Sequence, residues 1–380
     1  MAGKRVHTIA LIFGTRPEAI KLAPVFLELV RRPDEFEPLL WLTAQHRQML
    51  DQVMTAFDLR ANRDFNLMRP GQSITDVTAE VVKALEEAFA QEKPDVVLVQ
   101  GDTTTVFTAA LASFYAKIPV GHVEAGLRTL TKYSPFPEEM NRRLTSRLAD
   151  FHFAPTAWAK SNLLAENVSE DQIWVTGNTV IDALDIIVDQ VRQNPPVLDE
   201  GFPSEIITSG RRVVLITGHR RENFGAGFES ICQAIVELAD RYPEAEFVYP
   251  VHLNPNVRKP VFKLLKGYSN IRLIEPLGYK PFVWLMDRCY FLLSDSGGIQ
   301  EEAPHLGKPV LVMRETTERP EALEAGTAKL VGVDRPTIVR EASRLMDDAG
   351  EYAKMSRAQN PFGDGRAALR IVDVLAEQLK

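Results

Sequence analysis

The sequence predicts an α/β protein built from two doubly wound, Rossmann-like domains that face each other across a cleft. Three observations lead to this prediction. Short apolar runs alternate with longer stretches of helical periodicity, which is typical of parallel sheets covered by helices on both faces. The chain has 380 residues, which is too many for one ordinary core. Polar and charged residues follow five of the apolar runs, and these runs belong to both halves of the chain.

The predicted strands form two sets. In chain order they are TIALIF, LLWLTA, DVVLVQ, IPVGHV, FHFAPT and IWVTG, followed by RRVVLITG, AEFVYPV, NIRLIEP, YFLLSD, KPVLVM and AKLVG. A long helical stretch and the Pro-rich, acidic segment NPPVLDEGFPSE separate the two sets. We therefore predict a first domain over residues 1–178 and a second over 179–358. Residues 359–380 are predicted to form a helix that packs back on the first domain.

The composition is that of an ordinary globular protein and argues against several kinds of partner. With 44 basic and 51 acidic residues, net charge −7, the chain lacks the basic surface that nucleic acids or anionic membranes attract. No run is long enough to span a membrane, and the N-terminal run is too short for a signal peptide. Cys232 and Cys289 are isolated, which argues against disulfides or a cysteine zinc site. We expect a cytoplasmic protein.

The segment SDSGGIQEE is the most informative of the strand ends. Ser296, Gly297 and Gly298 open a helix after a predicted strand, so their backbone N–H groups and the helix dipole can bind a phosphate. Glu302, one turn later, is placed to accept hydrogen bonds from ribose hydroxyls. The pattern indicates a nucleoside diphosphate site. A glycine-rich turn that binds no ligand fits the local sequence equally well.

Basic residues at two other strand ends suit an anionic ligand. In GTRPEAIKLAP, Arg16 and Lys21 lie around a helix start, where a guanidinium fork and an ammonium group suit a diphosphate. His219 follows the strand VVLITG and can donate to a phosphate or transfer a proton. Each residue also has a simpler interpretation, because solvated helix charges and structural histidines are the commoner fates of such residues.

Carboxylates follow two further strands and one Pro-rich turn. Asp102 follows DVVLVQ, where it either caps the next helix or takes part in catalysis, and capping is the commoner role. Glu124 is harder to explain structurally, because HVEAGLRT places it after a buried strand and before no obvious helix. Glu138 and Glu139 follow SPFP at a helix start, where acidic residues stabilise the helix dipole.

Several well-defined catalytic motifs are absent from the sequence. There is no GxxxxGK[ST] P-loop and no HExxH, and the GAG at residues 225–227 lacks the third glycine of GxGxxG. Phosphoryl transfer by a P-loop, dinucleotide redox chemistry and zinc-dependent hydrolysis all lose support as a result.

Ten motifs, in order along essentially the whole chain, carry a family resemblance. They are GTRPEAIKLAP, TAQHRQMLDQ, GDTTTV, GHVEAGLRT, SPFPEEMNR, TGNTVIDAL, TGHRRENFG, YPVHLNPNV, SDSGGIQEEAPHLGKPVLVMRETTERPEA and NPFGDG. Together they resemble the bacterial non-hydrolysing UDP-N-acetylglucosamine 2-epimerases. The resemblance implies a glycosyltransferase-B-like fold, a homodimer, and reversible conversion of UDP-GlcNAc to UDP-ManNAc for cell-surface polysaccharides. It implies neither NAD nor a metal as cofactor.

The resemblance also implies a reaction route and the residues that carry it. UDP is eliminated across C1 and C2 to leave 2-acetamidoglucal, then adds back while a proton reaches the opposite face of C2. This route needs acid/base groups on both faces and donors for the departing diphosphate. The implied catalytic residues are Asp102, Glu124, Glu138 and His219. The implied UDP-sugar residues are Arg16, Lys21, Leu277, Phe282, Ser296, Gly297, Gly298, Glu302 and Arg319.

Two of these positions have specific implied contacts with uracil. Phe282 is expected against the ring, and Leu277 is expected to reach it through its backbone. Leu277 replaces the glutamine of some relatives, which matters little for a backbone contact. Some bacterial members are activated by a second UDP-GlcNAc, and the matching positions here are Gln45, Gln48, Arg220 and His252.

Three other functions fit the same two-domain architecture. A glycosyltransferase would need an acceptor and would not invert C2. A hydrolysing epimerase would release UDP and free N-acetylmannosamine. A nucleotide-sugar sensor would bind UDP-GlcNAc without turnover, although the four candidate catalytic side chains argue against this function.

Overall fold

The computed structural model describes residues 5–43, 47–69, 71–197 and 210–380. The chain divides into two compact units, Met1–Asp185 together with Phe362–Lys380, and Ile186–Pro361. The predicted divisions, after residues 178 and 358, fall a few residues before these points. Each unit has its own parallel sheet and is described by itself.

The first unit is built on a seven-stranded sheet. Its strands are β1 (His7–Phe13), β2 (Phe36–Leu42), β3 (Arg63–Asp64), β4 (Val96–Gln100), β5 (Val120–Val123), β6 (Phe151–Ala154) and β7 (Ile173–Val175). Their order is β3-β2-β1-β4-β5-β6-β7, and all neighbouring pairs are parallel. β4 is buried along its whole length, which explains its nearly uninterrupted apolar sequence.

Helices cover this sheet, and short polar side chains fix several of their starts. They are α1 (Arg16–Val30), α2 (Arg47–Ala56), α3 (Ile74–Gln91), α4 (Thr104–Tyr115), α5 (Glu138–Leu148), α6 (Ala157–Ala165), a 3₁₀ turn (Glu170–Gln172) and α7 (Thr179–Gln193). The Ser73 hydroxyl caps α3 by accepting the N–H of Asp76 at 3.1 Å. In the core, the ring centroids of Trp41 and Phe89 lie 5.5 Å apart.

The second unit is built on a six-stranded sheet. Its strands are β8 (Val213–Thr217), β9 (Glu246–Pro250), β10 (Ile271–Ile274), β11 (Phe291–Ser294), β12 (Val310–Val312) and β13 (Ala328–Leu330). Their order is β10-β9-β8-β11-β12-β13, again with all neighbouring pairs parallel. The helices are a 3₁₀ turn (Arg221–Asn223), α8 (Ala226–Arg241), α9 (Pro255–Leu265), α10 (Tyr279–Arg288), α11 (Gly297–His305), α12 (Pro320–Glu324), α13 (Arg335–Asp347) and α14 (Ala349–Ser356).

The C-terminal segment returns to the first unit as α15 (Ala367–Gln378). Asp182 of α7 holds the start of this helix, since its carboxylate accepts the backbone N–H groups of Ala367 at 3.2 Å and Ala368 at 2.8 Å. A carboxylate at a helix N-terminus also interacts favourably with the helix dipole. The terminal helix is therefore fastened to the first unit by a buried cap.

The observed strands confirm the predicted α/β class. Every predicted run contains a strand, and only the two-residue β3 was not predicted. Each sheet reverses its strand order once, between β1 and β4 in the first unit and between β8 and β11 in the second. In doubly wound sheets ligands bind beyond the carboxyl ends of the strands at such reversals. The residues that follow these four strands are therefore the ones to examine for function.

The helices of the described ranges also bear on membrane insertion. None of the helices found there combines the length and the apolar character needed to cross a bilayer.

Candidate active site

The loop between β1 and α1 is held by a buried carboxylate. Glu18 is 1% exposed, and its carboxylate accepts the backbone N–H groups of Gly14 at 2.9 Å and Thr15 at 2.6 Å. It also accepts the hydroxyl of Thr103, from the loop after β4. The two loops at the strand-order reversal are thus tied together. Arg16, the first residue of α1, is half-buried and makes no ion pair within the described part of the chain.

Asp102 is not the cap of α4. That role belongs to Thr103, whose hydroxyl accepts the N–H of Val106 at 3.3 Å. Asp102 instead directs its carboxylate to the guanidinium of Arg142 on α5, at 2.6 Å, and its side chain is 29% exposed. Of the two roles that the sequence left open for Asp102, the structural cap is therefore excluded.

The surroundings of Asp102 make its ionisation less favourable than that of a solvent-exposed carboxyl. Burial raises the pKa of the Asp102 carboxyl, and the guanidinium of Arg142 opposes this effect. The negative charges of Glu124 and Glu138 raise the pKa further. A carboxyl group with a raised pKa gives up and takes back a proton more readily near neutral pH, which suits acid/base catalysis.

Glu124 lies directly after β5 in a left-handed backbone conformation, with φ of 64°, which is uncommon for a residue other than glycine. Its side chain is 6% exposed and surrounded by donors. Its Oε1 receives the ammonium of Lys21 at 2.5 Å and the amide of Asn178 at 2.9 Å, and its Oε2 receives the amide of Gln100. Lys21, expected at the diphosphate, is thus in contact with a candidate catalytic carboxylate.

The two adjacent acids at the start of α5 have different surroundings. Glu139 is fully buried and accepts the backbone N–H of Thr129 at 3.0 Å and the guanidinium of Arg143 at 3.1 Å. Oε2 of Glu139, which accepts the N–H of Thr129, also lies 3.6 Å from the guanidinium of Arg142. Glu139 therefore has a structural role. Glu138 is half-buried and makes no hydrogen bond or ion pair with any residue that the structure describes. Of the two, Glu138 is the one available for chemistry.

The second unit presents the start of α11 at the carboxyl end of β11. A Cβ atom placed on Gly297 would lie 3.8 Å from a guanidinium nitrogen of Arg220 and 4.0 Å from Cζ of Arg319. Two guanidinium groups therefore lie over the helix N-terminus, with Ser296 and Gly298 on either side of Gly297. Backbone N–H groups, a helix dipole and two cations form an anion-binding cradle.

Asp295 organises the loop beside this cradle. The buried Oδ2 accepts the backbone N–H groups of His219 at 2.9 Å and Arg220 at 2.8 Å. Oδ1 lies 3.2 Å from Nδ1 of His219, and the imidazole stacks on that of His252 with centroids 5.7 Å apart. Burial lowers the pKa of His219, and the nearby Arg220 and His252 lower it further. The carboxylate of Asp295 opposes this by raising the pKa. The surroundings of His219 therefore favour the neutral imidazole over the charged one.

Glu302, one turn into α11, is buried and accepts the hydroxyl of Tyr279 at 3.0 Å. Arg319 is bound by the carboxylate of Glu301, the preceding residue of the helix. Phe282 on α10 and Leu277 before that helix are both half-buried. The implied UDP-binding residues of this unit thus belong to α10, α11 and the loops at their starts, except Arg319, which directly precedes α12.

The implied second UDP-GlcNAc site can be followed only in part. Arg220 and His252 lie beside His219, as described above. Gln45 lies outside the described residues, as does the side chain of Gln48.

Within the described ranges, no three His, Cys, Asp or Glu side chains are grouped so that they could hold a metal ion. The absence of a metal requirement stays a prediction.

Comparison with known families decides the assignment. A family model described as UDP-N-acetylglucosamine 2-epimerase matches residues 28–376. The chain belongs to the UDP-N-acetylglucosamine 2-epimerase family. The UDP-N-acetylglucosamine 2-epimerase of Escherichia coli strain K12 is 54% identical over 370 residues, which are 97% of this chain and 98% of that protein.

Solved structures of the epimerase family extend over nearly the same length. The UDP-GlcNAc 2-epimerase from Neisseria meningitidis, bound to UDP-GlcNAc, is 50% identical with a TM-score of 0.87, and the match covers 97% of this chain and 100% of that one. The S. aureus MnaA structure with UDP is 46% identical with a TM-score of 0.86, covering 98% and 97%. The predicted glycosyltransferase-B-like fold class is confirmed.

Four partners of the candidate residues, three in the first unit and one in the second, were not identified from the sequence. Arg142 and Asp295 pair with candidate catalytic residues, and Gln100 and Asn178 bind Glu124. A signal existed for Arg142, which follows Glu138 by one helical turn. Gln100 is the last residue of a buried strand, where a polar side chain is unusual. No local signal marks Asn178 as a partner of a residue 54 positions earlier.

Proposed function

We propose that the chain catalyses the reversible, non-hydrolysing epimerisation of UDP-GlcNAc to UDP-ManNAc at C2 of the sugar. The observation that carries this proposal is the pair of carboxylates at neighbouring strand ends of the first unit. Asp102 contacts the guanidinium of Arg142, and Glu124 is bound by one ammonium and two amide groups. Family membership supplies the substrate, and the Neisseria meningitidis relative supports it because its structure holds UDP-GlcNAc.

The reaction proceeds by elimination and re-addition. A base removes the hydrogen at C2 as a proton, the C–H electron pair forms the C1–C2 double bond, and the C1–O bond breaks with its electrons leaving on UDP. UDP then adds back to C1 of 2-acetamidoglucal while a proton reaches the opposite face of C2. No oxidant or reductant is consumed. The sequence of steps requires one ionised and one protonated group near C2.

The surroundings of the carboxylates support a division of roles. Glu124 accepts bonds from an ammonium and two amides, so it is held as an anion that can take the C2 proton. Asp102, whose pKa burial raises, returns a proton on the opposite face. Glu138 is partly exposed, and we assign it to proton exchange with solvent. In the reverse reaction Asp102 and Glu124 exchange roles.

The second unit supports the nucleotide half of the substrate. The cradle of Gly297, Arg220 and Arg319 suits the diphosphate, because it combines backbone donors with two permanent cations. Glu302 is assigned to the ribose hydroxyls. A diphosphate near His219 would raise the pKa of the imidazole, since a nearby negative charge favours the protonated form. His219 then donates a hydrogen bond to the leaving group.

The direct test supplies purified protein with UDP-GlcNAc alone and separates the products by anion-exchange chromatography. Formation of UDP-ManNAc with no net accumulation of UDP supports the proposed reaction. Release of UDP and free N-acetylmannosamine would assign a hydrolysing epimerase instead. Unchanged UDP-GlcNAc would contradict catalysis without an acceptor, and turnover on adding sugar acceptors would identify a glycosyltransferase.

Further properties implied by the resemblance belong to the same proposal. We propose that the enzyme works in the cytoplasm as a homodimer, which light scattering would report as twice the 42.6 kDa chain. Activity is expected to persist in EDTA without added NAD. If Gln45, Gln48, Arg220 and His252 bind an activating UDP-GlcNAc, turnover of pure UDP-ManNAc starts slowly until a trace of UDP-GlcNAc is added. An equally prompt start in both cases would remove the activation site.

A further inference from the structure

Asn178 occupies an unusual place for an amide side chain. It lies between β7 and α7, directly after Gly177, and is 2% exposed. It belongs to the motif TGNTVIDAL, to which the proposed reaction assigns no role. A buried amide must find partners for both of its ends, because an unmet donor or acceptor is costly away from water.

The partners of Asn178 determine which way its amide points. Nδ2 donates to Oε1 of Glu124 at 2.9 Å, and Oδ1 accepts the backbone N–H of Val180 at 3.1 Å. An ionised carboxylate can only accept and a backbone N–H can only donate. The amide therefore cannot rotate by half a turn without losing both bonds, and only a side chain with an oxygen and an NH₂ group satisfies both partners.

The backbone of Asn178 is also fixed by a hydrogen bond. The N–H of Asn178 donates to the carbonyl of Phe362 at 2.7 Å, where the chain returns to the first unit. Gly363 follows with φ of 136°, and a Cβ atom on it would lie 3.5 Å from the nitrogen of Asn178 and 3.4 Å from Cα of Gly177. These distances are ordinary contacts, so glycine is favoured at this crossing by its φ, which other residues rarely adopt.

Glu124 depends on such a fixed partner. Lys21 also contacts Oε1, but its ammonium sits on a flexible stem and attracts a carboxylate with little directional preference. The amide of Asn178 has a short, two-torsion side chain with fixed ends, so it fixes the position of Oε1, while the amide of Gln100 binds Oε2. We propose that Asn178 is a positioning residue that holds Glu124 in its reactive orientation, an inference that rests on the epimerase function proposed above.

Two substitutions separate this role from helix capping. Asn178→Asp keeps the oxygen that accepts the N–H of Val180 and keeps the size of the side chain, but it removes the donor to Glu124. Asn178→Ser keeps a short acceptor and adds no charge. The matched control is Asn62→Asp, because Oδ1 of the exposed Asn62 likewise accepts one backbone N–H, from Leu40 at 2.7 Å, and Asn62 has no part in the site.

We expect both Asn178 variants to lower kcat by about 10- to 100-fold, the scale of a misplaced reacting group, with KM within about threefold. UDP binding, followed by calorimetry, should be unchanged because the contacts described for Asn178 belong to the first unit, whereas the cradle assigned to the diphosphate belongs to the second. Asn62→Asp should match wild type in kcat, and circular dichroism should show all variants folded.

The pH dependence provides a readout that a purely structural role would not move. In Asn178→Asp, one proton shared between the new carboxyl and Glu124 restores a hydrogen bond at low pH, whereas two ionised carboxylates repel at high pH. The ratio of variant to wild-type kcat should therefore be about tenfold higher at pH 6 than at pH 9. In Asn178→Ser the ratio should be flat. In every variant Lys21 contacts Glu124, and the charge of Glu124 also interacts with Asp102 and His122.

The outcomes distinguish this inference from the proposed function. If wild-type enzyme forms no UDP-ManNAc, the proposed function fails before the variants are compared. If wild type is active and both Asn178 variants match Asn62→Asp in kcat, the positioning role is wrong. A flat kcat ratio in a folded Asn178→Asp, or a loss carried by KM, also overturns it. Should Asn178→Asp not fold, the kcat of Asn178→Ser decides alone.

Discussion

Replacing Asp102 by asparagine tests the assigned proton transfer most sharply, because the structure separates its catalytic effect from its effect on folding. The amide keeps an oxygen that can accept the guanidinium of Arg142, which the carboxylate contacts at 2.6 Å. It cannot carry the transferred proton. The expected result is a fall in kcat of about 10²- to 10⁴-fold, the contribution of a general acid or base.

The effect of Asp102→Asn on stability should be small because two contributions oppose each other. A weaker bond to Arg142 costs about 1–2 kcal/mol, and Glu139 remains 3.6 Å from that guanidinium. Against this, burial raises the pKa of Asp102, so the neutral amide avoids a desolvation cost that the carboxylate carries. The midpoint of thermal unfolding should fall by no more than about 8 °C for a unit of this size.

The assay follows initial rates of UDP-ManNAc formation by chromatography for wild type and Asp102→Asn, with calorimetric unfolding of the same samples. Asp150→Asn is the control, since Asp150 accepts the N–H of Val120 at 2.8 Å at the amino end of β6, away from the site. Its rate should stay within about twofold of wild type. Turnover above about a tenth of wild type in folded Asp102→Asn would remove Asp102 from proton transfer.

Three further predictions address the cradle, the ion pair and the buried imidazole. Gly297→Ala should weaken UDP binding by about tenfold or more in calorimetry without changing thermal stability, because a Cβ there meets only ordinary contacts in the free protein. Lys21→Met should lower kcat more than it raises KM, because the ammonium contacts Glu124. A larger rise in KM than fall in kcat would indicate that Lys21 binds the diphosphate instead. Burial lowers the pKa of His122 to about 3, below its unfolded value, so its stabilising contribution is present above pH 6.5 and lost as pH falls. Denaturant titrations should show wild type losing up to about 1.4 kcal/mol per pH unit below 6.5 relative to His122→Gln; equal losses would contradict the burial argument.

The fold could be predicted because its signals are local. Continuous apolar runs such as that of β4 reflect burial on both faces of a parallel sheet, and every such run contains a strand. The strand β3 was missed because two residues, Arg63 and Asp64, carry no periodicity. The left-handed conformation of Glu124 was also unpredictable, since nothing in its side chain favours φ of 64°.

The candidate site could be predicted as a set of positions but not as a set of contacts. Strand ends indicated Asp102 and Glu124 in the first unit and His219 in the second, because the carboxyl ends of parallel strands gather at one edge of each sheet. Their partners come from distant segments and depend on tertiary packing, as in the pairing of Lys21 with Glu124, 103 residues apart. Whether Asp102 capped a helix or pointed elsewhere also depended on Thr103, which competes for the same N-terminus.

The proposed elimination and re-addition mechanism requires that the C2–H bond breaks during turnover without hydrolysis. Proton NMR of the purified protein with UDP-GlcNAc alone in D₂O follows the anomeric and H2 signals of both sugars and any UDP released. The account predicts that UDP-ManNAc appears with deuterium at C2, that deuterium also enters UDP-GlcNAc as the reaction reverses, and that free UDP does not accumulate. UDP-ManNAc formed with its original C2 hydrogen retained would contradict proton removal by these carboxylates.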